Sequence, residues 1–318
     1  MIVELLLTVG HIILDVCLPI LLVIGAGWLF DRRFNLDLES LVKLNIYLFV
    51  PVFIFVRVTE SEIASALGLR IVAFTTCMIA CMAATSLVIA RLKGYAPDHQ
   101  KTLLLTSMFY NCGNFGIPLT SLAFPETGPA VQVFVVMTMN LATFTLGLSL
   151  ASSSAQPEQR MIRLNLGPVL KQPSVYAILM ALLLKSGNVP VKEVVFLWKP
   201  ATLIADALLG VALITLGVQL AKTKQTSFRG PLTWALGIRL IGGPACALLL
   251  IMLFRFETEI AAVLLIGTAA PTAVNTALLA HEFKADSHTA AAAVLWSTLL
   301  SFLPVAALLL WIRLAWPL

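Results

Sequence analysis

The chain has 318 residues, 59% of them hydrophobic and only 12% charged, with a mean hydropathy of +0.96. A soluble domain carries about 25% charged residues, so a water-soluble enzyme or binding module is excluded and lipid is the main solvent. The net charge of +5 sits in short basic clusters between apolar runs, which points away from nucleic acid and toward an anionic membrane leaflet.

A spanning helix needs about 20 mostly apolar residues. By that measure residues 10–30 form a first span ended by "DRR", and 39–57 a second span with Pro51 inside. The third, 70–90, runs up to "RLKG". The fourth, 99–123, contains "YNCGNFGIPLTSLAF", and the fifth is 129–151. A polar connection, "SSSAQPEQRMIRLNLG", marks the midpoint. Spans resume at 173–187, 196–221, 230–254, 260–281 and 288–312. The expected layout is therefore all-α: residues 1–151 as one five-helix unit, 152–172 as a cytoplasmic loop, and 173–318 as a second unit. No cleavable leader is expected at "MIVELLLTVGHIILD", which has no basic stretch before its apolar run. The connections after odd-numbered spans are richer in Lys and Arg than the termini and remaining connections. The positive-inside rule then places both termini outside.

Five spans, a loop and five spans is the layout of an internally duplicated transporter, whose substrate sits where discontinuous helices from the two halves meet. The halves agree on this point. The fourth span is interrupted by Asn111, Gly113, Asn114, Gly116 and Pro118, and the ninth by Pro271, with Asn275 and Thr276 beyond it. Pro118 and Pro271, with Gly116, are the expected break points. A broken helix exposes N–H groups at one half-helix end and C=O groups at the other, attracting an anion and a cation respectively. Asn111, Asn114, Asn275 and Thr276 are the candidate substrate contacts. The simpler reading is a proline kink at which Asn caps its own backbone.

Ionisable residues inside spans are costly and often functional. Asp206 in the seventh span and Arg239 in the eighth read either as an ion pair between packed helices or as groups that meet a substrate charge or a coupling proton. His11 and Asp15, one helical turn apart near the outer interface, read as hydrated groups. All five cysteines lie in apolar segments without metal-ligand spacing. Cys77 and Cys81 share a helix face as small apolar filler. No metal, cofactor or disulfide framework is expected.

At "NCGNFGIPL", "ADALLGVALITLGVQLA", "RLIGGPA" and "AAPTAVNTALLAHEF" the chain resembles the auxin efflux carrier family, which includes the plant PIN-type auxin exporters and many prokaryotic relatives. "LNIYLFVPVFIF" and "TLLSFLPVAALLL" match the family's second and tenth helices, so the resemblance covers nearly the whole chain. It implies ten transmembrane helices in two inverted five-helix repeats, similar to bile-acid sodium symporters. It also implies a scaffold from spans one, two, six and seven and a transport domain from the others. Elevator-type transport of a carboxylate and a homodimer follow from the same resemblance.

Asn111 falls at the crossover Asn of the PIN-type exporters, ahead of the shared "GIP". Pro271 matches the first of their two ninth-helix prolines, and Thr276 stands at the second. Gln132 is kept, whereas Met137 replaces a Gln of the plant exporters. A short-loop carrier of a small organic anion is thus expected in the cytoplasmic membrane. A sodium-coupled symporter on the same fold is the first rival. An intramembrane enzyme using His11 and Asp15, or His281 and Glu282, is the remote one.

Overall fold

A computed structural model describes residues 2–61, 63, 65–152, 167–223, 230–282 and 286–316. Most of the expected midpoint loop, 153–166, lies outside the described residues. Within them the chain is helical, with one isolated antiparallel bridge and no strand. The long helices are α1 (Leu7–Phe34), α2 (Leu38–Glu60), α3 (Ser65–Leu92), α6 (Gly128–Leu150), α8 (Val195–Lys222) and α9 (Pro231–Phe254). Shorter ones are α4 (Pro97–Met108), α5 (112–123), α7 (Pro173–Ser186), α10 (Thr258–Thr268) and α11 (Val274–Glu282). The chain ends in α12 (Ser287–Leu300) and α13 (Phe302–Ala315), bent by 42° to each other. Pro304 explains the bend, because it has no N–H to offer Leu300 and its ring crowds that carbonyl.

Six of these helices are each long and apolar enough to cross a membrane, and the bent α12–α13 pair makes a seventh. The expected fourth and ninth spans are each a pair of short helices, α4–α5 and α10–α11.

Most prolines inside the helices do not break them. Pro19, Pro51, Pro118 and Pro244 each stand two residues beyond a π-helical turn: 12–17, 45–49, 112–116 and 238–242. A proline removes one N–H and collides with the carbonyl four residues earlier. The wider turn relieves that collision at the cost of one extra residue. The expectation that Gly116 and Pro118 form the break is corrected accordingly: both lie inside α5, with Gly116 in helical conformation.

The halves interlock through their first helices. α1 packs along α8, and α2 packs against α7 and α8. Gly27 and Gly217 permit backbone-to-backbone approach of α1 and α8. A Cβ at Gly217 would overlap the backbone of Ile24 and Trp28, and one at Gly27 the backbone of Ile214. In lipid, where no hydrophobic drive exists between helices, such small-residue contacts supply the van der Waals packing. Polar links add to it. Lys222 Nζ lies 2.9 Å from the buried Asp31 carboxylate and donates to Asn35 at 3.0 Å, while Asn45 Nδ2 of α2 donates to Thr215 Oγ1 of α8 at 2.9 Å. Gly217→Leu is expected to force α1 from α8 and destabilise by about 1–3 kcal/mol, measured as a lowered melting temperature of the purified protein in detergent. Gly210→Leu, at a position with open space, is the control and should melt like the parent.

Candidate functional site at a crossing of two broken helices

The helical path from α4 stops at Met108; Phe109 is extended and Asn111 forms an inverse γ-turn, with Cys112 N–H donating to Tyr110 O at 2.7 Å, before α5. In the other half the path from α10 stops at Thr268, and α11 begins at Val274. Pro271 stands in that second gap; proline lacks a donor and biases its predecessor away from helix. The gaps meet as an antiparallel pair, with Tyr110 opposite Thr272. Asn111 N–H donates to Pro271 O at 2.7 Å, and Ala273 N–H donates to Phe109 O at 2.9 Å.

Side chains satisfy much of what the breaks expose. Thr272 N–H donates to Ser297 Oγ at 2.9 Å, and Thr272 Oγ1 donates to Thr106 O at 2.9 Å. Gln132 Nε2 donates to Cys112 O at 2.8 Å. Arg239, whose side chain is fully buried, spans the two remaining carbonyl ends. Its Nη1 donates to Ser107 O of α4 at 3.0 Å and its Nη2 to Thr268 O of α10 at 2.6 Å. The guanidinium also lies 4.9 Å from the centre of the Tyr110 ring. Each charged hydrogen bond contributes about 1.5–3 kcal/mol and a desolvated cation–π contact about 2 kcal/mol, against the several kcal/mol that burying an ion costs and the buried Nε, which has no partner.

Arg239 therefore does not pair with Asp206, so of the two readings for these residues the ion pair between them does not hold. Asp206 is mostly exposed and pairs with Arg57 of α2 at 2.6 Å, and Arg57 also holds Glu60 at 2.9 Å. The partner exchange has a simple cause. Arg239 is drawn to the C-terminal ends of two half-helices, and Asp206 faces the basic side chain on the neighbouring α2.

The opposite ends of the half-helices look onto a cavity of about 90 Å³. Its lining comes from the crossing, from α2 and α6, and from the start of α7; among the described residues no Asp, Glu, Lys or Arg is part of it. Asn111, Asn114 and Asn275 all line it. Asn111 Oδ1 caps α5 by accepting from Asn114 N–H at 3.1 Å, and the buried Asn111 Nδ2 has no partner. Thr276 is not brought there. It is fully buried, and its hydroxyl donates to Ala273 O at 2.6 Å in the first turn of α11. Gly116 serves the cavity indirectly, because a Cβ on it would stand 2.5 Å from Gln132 Nε2.

A family model described as "Membrane transport protein" matches residues 12–310. The chain belongs to the auxin efflux carrier family. It is an integral membrane protein of a transporter family. An uncharacterized transporter of Methanocaldococcus jannaschii, MJ1031, is 26% identical over 311 residues, covering 92% of this chain and 96% of the relative.

In this auxin efflux carrier family member, sequence reasoning missed Asn45, Asn140, Thr143, Gln172 and Ser174, which also line the cavity. Asn45 carried a usable signal as an Asn inside an apolar span, and its buried Oδ1 is unpartnered. In α6 it is Met139 and Asn140, rather than Met137, that reach the lining. His11 and Asp15 pair at 3.2 Å, both largely exposed and away from the cavity lining. The side chains of His281 and Glu282 lie outside the described residues.

Gly116 and Gln132 form one unit in this geometry, so their substitutions are expected to be non-additive. Gly116→Ala and Gln132→Leu should each lower the melting temperature, and the double variant should fall no further than the worse single one. Additive losses would separate the two residues.

Proposed function

We propose that this chain is a secondary transporter that moves a small organic anion, a mono- or dicarboxylate or an auxin-like acid, across the cytoplasmic membrane. The observation that carries the reading is the cavity at the N-terminal ends of α5 and α11, where Asn111 Nδ2 is a buried donor without a partner. An unpaired buried donor costs about 1–3 kcal/mol, and a carboxylate oxygen accepting from it removes that cost. The first turns of both half-helices add N–H groups and the positive end of the helix dipole. Among the described residues no acidic side chain in the lining opposes this potential, and the Arg239 guanidinium strengthens it from behind Tyr110.

In this reading Asn111 is the primary carboxylate contact, and Asn114 and Asn275 complete the polar wall. Asn45 Oδ1 accepts a hydrogen bond from a hydroxyl or N–H elsewhere on the substrate. The ten spans form two inverted five-helix repeats with crossing fourth and ninth helices. α1, α2, α7 and α8 form a scaffold, against which the remaining helices slide as an elevator. The cavity lies between α2 and α7 on one side and the crossing on the other, a position that such sliding would open alternately to either face. Both termini face outward, and the carrier works as a homodimer.

Asn111→Ala is expected to insert and fold, with a melting temperature close to the parent's, and to abolish substrate-dependent transport in proteoliposomes. The substrate is first identified by screening malonate, malate and indole-3-acetate. Undiminished uptake or efflux in Asn111→Ala would refute the assignment.

A further inference from the structure

Arg239 stands where a duplicated carrier with crossing helices would hold a coupling cation. The carbonyl-bearing ends of half-helices are the parts of such crossings that coordinate Na⁺. Here those ends are α4 and α10, and Ser107 O and Thr268 O both accept from one guanidinium, at 3.0 and 2.6 Å. The position is built for it. Arg239 lies in the π-helical turn 238–242 of α9. Gly243 follows, and a Cβ there would overlap the guanidinium. The face of the Tyr110 ring closes another side. Among the described residues no carboxylate ion-pairs with Arg239, so the negative ends of two half-helices are its main electrostatic partners.

We infer that Arg239 is a resident cation, fixed between the carbonyl ends of the two broken helices in place of Na⁺, so that the crossing is assembled without a coupling ion. The inference rests on the transporter reading for its functional meaning. Its structural content concerns the empty carrier alone. A free cation binds and leaves, tying assembly of the site to the ion gradient; a tethered guanidinium keeps the crossing assembled in every step of the cycle. Its charge also stays in the transport domain, behind the Tyr110 ring that lines the cavity. Arg239 is thus a positioning residue, and substrate is not required to touch it.

The test uses purified, substrate-free protein, so it is independent of which anion is carried. Melting temperatures are measured in NaCl, KCl and choline chloride at equal ionic strength. Wild-type protein is expected to melt alike in all three. Arg239→Ala is expected to melt lower and to recover in the presence of guanidinium chloride at about 10 mM, far below denaturing concentrations, because a ligand that binds only the folded state stabilises it. Arg239→Lys keeps the charge but not the fork of donors and should fall between the two. Selective stabilisation of the wild type by Na⁺ would overturn the inference, whatever the variants do. So would a folded Arg239→Ala indifferent to guanidinium, or an Arg239→Lys no better than the alanine variant. Failure of Asn111→Ala to affect transport would leave these outcomes untouched, which separates this inference from the substrate assignment.

Discussion

Two backbone hydrogen bonds, Asn111 N–H to Pro271 O and Ala273 N–H to Phe109 O, are the constraint on which the site depends. They require both segments to leave helical geometry where they pass each other, so both helices must break there. In a bilayer no water is at hand to satisfy broken helix ends, and each orphaned polar group costs several kcal/mol. The ends are treated unequally. The carbonyl ends are occupied by Arg239 and Thr272, whereas the N–H ends are left beside a cavity. That division leaves the positive dipole ends of α5 and α11 facing the cavity, with no charged side chain among the described residues of its wall.

The surrounding helices differ in how they pack, and the difference follows the same logic. α1 and α8 touch through glycines, with no room for a side chain between their backbones. At the cavity, α2 and the start of α7 meet the crossing across open space lined by Asn, Thr, Ser and Gln side chains. In the elevator reading proposed above, the close glycine packing holds α1 and α8 together and the polar cleft is the plane along which the two bodies part. The π-turns belong to the same economy of backbone groups: they let Pro19, Pro51, Pro118 and Pro244 stay inside helices that must not expose polar backbone to lipid.

The membrane class, the helical fold and the location of the special segments were legible in the sequence, because apolar runs, Asn–Gly–Pro clusters and their recurrence in both halves are local signals. Asn111, Asn114 and Asn275, singled out on that basis as substrate contacts, line the cavity, and Pro271 stands in the gap of the second broken helix. The place of Pro118 was illegible, because a proline within a span leaves the same trace whether it breaks the helix or is absorbed by a π-turn. The partners of Asp206 and Arg239 were illegible for a different reason. An intramembrane Arg seeks negative potential, and half-helix C-termini supply it without leaving any acidic residue to be read. Asn45 and Ser174 reach the cavity from helices far away in sequence, and only the fold brings them there. Thr276 resembled a ligand by type, yet a hydroxyl in the first turn of a helix readily bonds back to its own backbone.

Cys112 offers the most direct measurement of the central claim, that the crossing binds an organic anion at its N–H ends. Cys112 is one of the residues lining the cavity, next to Asn111. In a variant that keeps Cys112 while Cys17, Cys77, Cys81 and Cys246 are replaced by alanine, the rate at which a small methanethiosulfonate reagent forms a mixed disulfide with Cys112, releasing methanesulfinate, reports on that space. The account predicts that a transported carboxylate slows this labelling in a saturable way, in sodium-free buffer, and that Asn111→Ala removes the protection. Labelling of Cys112 that is unaffected by a carboxylate the protein demonstrably transports would contradict it.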